Sequence, residues 1–447
     1  MGAFLPSALK DCQKIGLVGL GKSSLGVLSY LEECNENTVF SIRTEKEASH
    51  PRYAVRCGEG YLNEITEDAL ILSPSVRPDR EEIEAARARG VRILSDSEIF
   101  FRDTEAKCFA VTGSDGKSTT TSLLSHLLSA AMGEDVPAVG NIGRPLTPLL
   151  ALSHGAYAVE LSSFQLFHYA PRCERAVITN LTENHLNWHK SMREYAEAKA
   201  SLYENAKEAV FPLDEPMLAS LLRKPPFAVY STQMSGKEIA KQNADFSYYL
   251  DGDCVFENGR RLLSLSLFPL SGRHNLKNLL SALAMAAGYV TKDSAEAIRS
   301  FRPLAHRCEK IAGIGGAEYF DSSIDSSPSR TRETLSSFSA PVVLLLGGLG
   351  KGCSLSPLMP CVSEKCRAVI GFGPLGKDAT EFLRAEGYEG ILPPPAKGLA
   401  DAVALAKSIA TKGDAVLLSP GGTSFDEFEN FSARGECFRR LVLKSEG

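Results

Sequence analysis

Lys117 follows two glycines and precedes two hydroxyls in Val111–Ser122, VTGSDGKSTTTS, and those residue types at that spacing suit triphosphate chemistry. In Gly113, Ser114, Asp115 and Gly116 the glycines let backbone N–H groups converge on phosphate oxygens. The start of the following helix adds partial positive charge, Lys117 can reach terminal phosphates, and Ser118 or Thr119 can ligate Mg²⁺. A full G-x-x-x-x-G-K-[ST] pattern wants glycine where Val111 stands, so the stretch alone also allows an ordinary strand-to-helix turn. A carboxylate favours the cradle: Glu160 closes the apolar run of YAVELSS, where a strand-end acid makes a natural second Mg²⁺ contact. Further on, His185 in NLTENHLNWH and Lys199 in YAEAKASLYENA could face the same metal, or be ordinary hydrogen-bonded residues.

Such groups work only if rigid elements bring them to one edge. Short runs rich in Val, Ile and Leu alternate with segments of helical period, which predicts α/β architecture with parallel sheets. KIGLVGL, TVFSIR, ALILSPS and VRILSD read as strands of a first unit, and KCFAVTGS, YAVELSS and RAVITNL as strands of a second. The second unit adds a hairpin-like stretch, YYLDGDCVFENGRRLLSL, and a helix, HNLKNLLSALAMAAGYV; PVVLLLGG, CRAVIGFG and DAVLLSP mark a third unit. Pattern restarts near residues 103 and 303 predict domains at 1–103, 104–303 and 304–447. At 447 residues, 44% hydrophobic and 23% charged, the chain has room for such cores. A formal charge of -5 supplies no broad field for nucleic acid or an anionic membrane. Eleven cysteines scattered without a C-x-x-C pair, no signal segment and no apolar run near ~20 residues predict a cytoplasmic protein that inserts in no membrane.

The chain resembles the Mur ligases, which build the peptide stem of peptidoglycan by ATP-driven amide formation. The resemblance rests on TGSDGKST, GNIGRPL, VELSSFQL, ITNLTENHLNWH, YAEAKASLYENA, GRHNLKNLLSALA, FRPLAHRCEKI, GGLGKG and LSPGGTSFDEFENFSARG, all in order. The family's loop also lacks the first glycine. The last block resembles the branch that adds D-glutamate, and the D-N-P-R block of the diaminopimelate- and lysine-adding branches is absent. What the resemblance implies is a Rossmann-like domain for the UDP-sugar, a P-loop ATPase domain and a Rossmann-like domain for the amino acid, working as a monomer. The implied substrates are UDP-N-acetylmuramoyl-L-alanine, glutamate and ATP, joined through an acyl phosphate with two Mg²⁺ ions in attendance.

The resemblance also implies roles residue by residue. Ser118, Thr119 and Glu160 match one metal, and His185 with Lys199, the latter carbamylated by CO₂, the other. Lys117, His185 and Lys199 carry the chemistry. Lys22 and Ser23 match the diphosphate contacts, Asn141, Ser162 and Gln165 the muramoyl contacts, and Asn275, Asn278 and Arg307 the adenine-nucleotide contacts. Ser424, Phe425, Phe431 and Lys351 match the glutamate pocket. The chain departs from the family at NHLN, with Asn184 and Asn187 for acids, and at SIRT, where Arg43 and Thr44 stand in for an acid at uracil. It departs most at DSSIDSSPSRT: Ile324 replaces a lysine and Ser326 a threonine, leaving Asp321 or Ser322 for the ATP ribose. Three rival readings remain. L-Glutamate addition and folate polyglutamylation share the chemistry, and a dinucleotide-dependent dehydrogenase would use GLGKSSLG, which has Ser24 at the third glycine position.

Overall fold

The apolar runs form strands where their composition predicts, and three sheets result. The computed structural model describes residues 4–444 apart from 35, 36, 143, 184, 187, 271, 291–293, 303, 304, 340 and 351, and apart from the side chain of Lys22. The first sheet holds β1 (Lys14–Val18), β2 (Val39–Thr44), β3 (Ala54–Cys57), β4 (Ala69–Leu72) and β5 (Arg92–Ser95), all parallel, in the order β3-β2-β1-β4-β5. The order reverses between β1 and β4, so the loops after these two strands diverge around a crevice. Helices α1 (Lys22–Cys34), α2 (Glu81–Ala88) and α3 (Asp96–Asp103) belong to this part of the chain.

The second sheet runs β14-β13-β12-β11-β10-β9-β6-β8-β7. Its parallel part is β6 (Lys107–Thr112), β7 (Ala138–Gly140), β8 (Ala156–Glu160), β9 (Cys173–Ile178), β10 (Ala206–Pro212), β11 (Ala228–Ser231) and β12 (Phe246–Asp251). The expected hairpin is β12 with β13 (Cys254–Glu257) and β14 (Arg260–Ser264), antiparallel. Between the strands lie α4 (Lys117–Met132), α5 (Ser163–His168) and α6 (Met192–Asn205). Val111 pairs with Glu160 and Thr112 with Ile178, so β6, β8 and β9 end level and deliver their following residues to one edge.

The chain divides into two compact units, Met1–Pro269 with His274–Phe301, and Leu270–Arg273 with Arg302–Gly447. The first unit carries two sheets on one apolar cluster, which includes Ile15, Leu17 and Ile71 of the first sheet and Ala110, Val159 and Ala176 of the second. Helix α3 bridges them: Phe100 lies edge-on to Tyr157 at 5.6 Å, and Asp96 accepts the backbone N–H groups of Leu146 (3.0 Å) and Thr147 (2.8 Å).

The second unit holds β15 (Glu309–Ile314), β16 (Ala317–Asp321), β17 (Val342–Gly347), β18 (Cys366–Phe372) and β19 (Ala415–Gly421), ordered β15-β16-β19-β17-β18 and parallel except for β15. Alternate residues of β17 enter different clusters, Val343 and Leu345 on one face and Val342, Leu344 and Leu346 on the other. That two-faced burial is why its sequence is an unbroken apolar run.

Candidate functional site

The loop after β6 is a cradle built for glycine. Gly113 has φ +147° and Gly116 has φ +77°, which disfavour any side chain. A Cβ on Gly113 would overlap Thr179 Oγ1, and one on Gly116 would overlap Asn278 Oδ1. The loop is pinned by the segment after β9: Ser114 N donates to Asn180 O (3.0 Å), Asp115 N to Asn180 Oδ1 (2.9 Å) and Thr182 N to Ser114 Oγ (2.9 Å). Lys117 opens α4, and its ammonium donates to Gly113 O (2.9 Å) and Ser114 O (2.8 Å). Ser118 is half-buried and Thr119 buried in the same first turn. These are the parts of an anion site: oriented N–H groups, a helix N-terminus and a cation.

Beside the cradle, Glu160 is 1% exposed at the end of β8. Its Oε1 accepts from Asn141 Nδ2 (2.6 Å), while its Oε2 is buried with no hydrogen-bond partner among the described residues. A buried carboxylate oxygen left unpaired is costly, and a hard cation is the ligand that resolves the cost. The donor set of Glu160 with the Ser118 and Thr119 hydroxyls therefore fits Mg²⁺.

Lys199, 1% exposed on α6, reaches under the same loop and donates to Gly113 O (2.8 Å) and Thr112 Oγ1 (3.3 Å). Burial, helped by the nearby Lys117 charge, holds its pKa well below the usual lysine value. Tyr195, one turn earlier, lies near both Lys199 and His185. The lysine Nζ lies 4.7 Å from the Tyr195 ring centre and the His185 ring lies 6.5 Å from it, while the Tyr195 hydroxyl meets Ser114 Oγ at 2.9 Å. His185 is exposed, has a left-handed backbone (φ +56°) and packs its ring on Phe164 at 4.8 Å. The cradle, Glu160, Lys199 and His185 thus converge on the edge that β6, β8 and β9 share.

The other expected contacts fall into two groups. Asn141 reaches the cradle through its bond to Glu160, and Asn278 lies against Gly116, accepting from Thr120 Oγ1 (3.4 Å) and donating to Asn275 Oδ1 (3.3 Å). Ser162 and Gln165 instead form the capping box that starts α5. Ser23 is half-buried in the first turn of α1, and Thr44 is buried at the end of β2. Arg43 differs from the expectation of a base contact. All five of its N–H groups are used internally, on both Glu67 oxygens and on the carbonyls of Tyr61, Asn63 and Glu64, at 2.8–3.1 Å. It fastens the 61–67 segment and has no donor left for uracil.

In the second unit, Asp321 is fully buried and accepts from Ser323 N (2.9 Å) and the His306 ring (2.7 Å), and Ser322 Oγ accepts from Cys308 N (3.1 Å). The Asp321 hydrogen bond raises the His306 pKa. His306, Glu309 and Asp321 bring ligand-type atoms within 4.8 Å of one another, with His306 Nδ1 and Asp321 Oδ2 already hydrogen-bonded to each other. Arg307 and Ser326 are half-buried and Ser424 is buried, while Phe425 (70%) and Phe431 (39%) are exposed. Lys351, Asn184 and Asn187 lie outside the described residues. Sequence reasoning missed Arg434, 1% exposed, which donates to Ser323 Oγ (3.0 Å) and to the carbonyls of Ser323 (2.9 Å), Gly422 (3.1 Å) and Thr423 (3.0 Å). Burial pushes its pKa down to about 10. An arginine within the half-apolar helix FSARGECF was the available signal.

Comparison with known proteins adds three findings. Residues 111–286 match the model of a family described as the Mur ligase middle domain. Over 457 residues the chain is 33% identical to a UDP-N-acetylmuramoylalanine–D-glutamate ligase of Symbiobacterium thermophilum, with 98% of this chain and 99% of that protein covered. It is also 33% identical to the protein of the same name from Clostridium perfringens, with 96% of each covered. Among solved structures it is similar in fold to a UDP-N-acetylmuramate-alanine ligase of Thermotoga maritima (TM-score 0.61, 18% identity, 96% of this chain and 99% of that one) and to a pseudomurein peptide ligase type C of Methanothermus fervidus (TM-score 0.57, 14%, 96% and 99%).

Proposed function

The chain belongs to the Mur ligase family, and from that premise we propose how its residues divide the work. It is an ATP-dependent ligase that adds D-glutamate to UDP-N-acetylmuramoyl-L-alanine in the synthesis of peptidoglycan precursors. Residues 1–103 take the UDP-sugar, with Lys22 and Ser23 at its diphosphate; 104–303 take ATP; and 304–447 take the amino acid. The protein works as a cytoplasmic monomer, and no helix among the described residues is long and apolar enough to cross a membrane.

The observation that carries the reading is the buried Glu160 oxygen beside the glycine cradle that has no hydrogen-bond partner among the described residues. A carboxylate is a poor electrophile, so the alanine carboxylate of the substrate takes the γ-phosphoryl group of ATP, and the glutamate amine then displaces phosphate. Lys117 leaves its two loop carbonyls to meet the terminal phosphates. Asn141 keeps Glu160 turned toward the cradle. Ser118, Thr119 and Glu160 would hold one Mg²⁺, and His185 with a carbamylated Lys199 a second; such ions would supply charge that offsets the crowded phosphates. The depressed pKa of Lys199 supports its carbamylation, because only a neutral amine adds to CO₂, forming the N–C bond and releasing a proton. The family resemblance assigns Asn275, Asn278 and Arg307 to the nucleotide and Ser326, Lys351, Ser424, Phe425 and Phe431 to the amino acid.

Phosphate release with ATP, UDP-N-acetylmuramoyl-L-alanine and each of D-glutamate, L-glutamate and D-aspartate tests the assignment. Turnover is expected with D-glutamate, and Glu160→Gln, which keeps the Asn141 contact, should lose at least about a hundredfold. Turnover with L-glutamate alone would overturn the acceptor while leaving the chemistry standing.

A further inference from the structure

Arg77 lies in the connection between β4 and α2, in SPSVRPD, and all five of its N–H groups are engaged. Nε and Nη2 take both oxygens of Asp79 (2.8 Å each), Nη1 and Nη2 take both oxygens of Glu194 (3.0 Å each), and Nη1 also donates to Trp188 O (2.7 Å). The guanidinium lies over the rings of Phe167 (4.6 Å) and Trp188 (4.9 Å). The same two segments meet at two further points: Trp188 Nε1 donates to Ser75 O (2.8 Å) and Lys190 Nζ pairs with Asp79 (2.9 Å). Within the second segment, buried His189 sits 3.5 Å from Glu194 while its Nε2 meets Ser163 Oγ (2.9 Å) on α5. Burial outweighs the pull of Glu194 and lowers the His189 pKa.

Each end of the clamp abuts groups that the proposed reaction uses. The Ser73–Asp79 connection is one wall of the crevice where the first sheet reverses order; Gly19, in the loop after β1, lies so near that a Cβ there would stand 2.7 Å from Ser73 Cβ. At the other end, residues 188–194 run from His185 into α6, whose next residue, Tyr195, bonds Ser114 of the cradle and whose Lys199 bonds Gly113. A bidentate grip on two carboxylates, stacked on aromatic rings, fixes direction as well as distance in a way that a lysine cannot copy.

We propose that Arg77 is a positioning residue of the ligation: from the wall of the nucleotide-sugar crevice it sets the register of the His185 connection and the first turn of α6, and so the separation between the substrate carboxylate and the phosphate cradle. The inference rests on the reaction proposed above. It differs from mere adhesion between two sheets, because adhesion would change stability without changing the rate of the folded enzyme.

Trp188 is the chain's single tryptophan, so its emission reports the clamp without any ligand. Arg77→Lys is expected to fold, shift and brighten that emission, and lower kcat about 10–100-fold with the KM for ATP within about threefold, the signature of misplaced reacting groups rather than lost binding. Arg193→Ala, which removes only an exposed pair with Glu197, is the control and should leave both readouts unchanged. An emission shift with kcat unchanged overturns the proposal, as does a kcat loss with unchanged emission. If Arg77→Lys does not fold, Asp79→Asn removes one arm of the clamp and should give the same two changes at smaller size; if that variant also unfolds, Arg77 is structural and the proposal fails. A wild-type protein that releases no phosphate with UDP-N-acetylmuramoyl-L-alanine and D-glutamate defeats the reaction assignment instead, and the emission change then stands apart from it.

Discussion

Lys199 is an amine kept from water, and that placement is expensive unless the charge is given up. Its neighbours are a carbonyl and a hydroxyl, which a neutral amine satisfies, and no carboxylate pairs with it directly among the described residues. A methionine of similar length would fill the site at lower cost, and Gly113 O would keep the Lys117 ammonium as its donor. Lys199→Met is therefore expected to melt at or above the wild-type temperature while losing phosphate release at least about a hundredfold. In Lys199→Ala, formate or acetate should restore part of the rate by occupying the place of a carbamate. A melting temperature lowered by several degrees together with a retained rate, seen by thermal scanning and the phosphate assay, would make the amine a structural one.

Strand, loop and helix form the unit that makes Lys117 useful, and helix α4 offers a comparison within itself. Gly116 caps its N-terminus at φ +77° and Gly133 its C-terminus at φ +69°. Alanine at either position pays about 1 kcal/mol for the left-handed backbone. At Gly116 the new Cβ also presses on Asn278, whereas at Gly133 it meets nothing within 4 Å beyond its own helix backbone and chain neighbours among the described residues. Gly116→Ala should thus cost more stability than Gly133→Ala in urea titrations and remove ATP turnover, whereas Gly133→Ala should keep its rate. Elements of this size were legible in the sequence where one signal dominates. The run CFAVT followed by Gly113 and a Leu-faced helix shows β6 and α4, and the apolar run ending at Glu160 shows β8. β10 was hidden because Ala206 follows Asn205 of α6 with no turn residue between them, and β7 because three residues carry no period.

Across the first unit the two sheets share one core, and its acid response should reflect that. His168 ends α5 and packs against the backbone of Pro74 and Val76, contacts that favour its proton, yet burial outweighs them and holds its pKa down to about 4 against 6.5 for a free histidine. The folded protein refuses a proton that the unfolded chain accepts, so the stability from this group is whole above pH 6.5 and drains away as pH falls from 6.5 to about 4, by about 3 kcal/mol at most. Glu194, held down to about 2 chiefly by Arg77, adds its own loss as pH falls below its free value of 4.5. Urea titrations from pH 7 to 4 should show the decline, and His168→Gln should flatten it between pH 6.5 and 4.5; an unchanged slope in that variant would remove His168 as the cause.

By itself the sequence determined the α/β class, the phosphate cradle and the acid at the end of its neighbouring strand, because each is a local pattern: a period, a glycine spacing, a residue at a strand's last position. It also presented Arg43 as a candidate for the base. Tertiary structure decided that Arg43 spends every donor on Glu67 and three carbonyls, that burial holds the Lys199 pKa well below its usual value, and that residues 77 and 194, far apart in the chain, meet as a clamp. Desolvation and the satisfaction of donors are sums over whatever surrounds a group, and for these residues the surroundings come from strands and helices that the linear order does not place side by side.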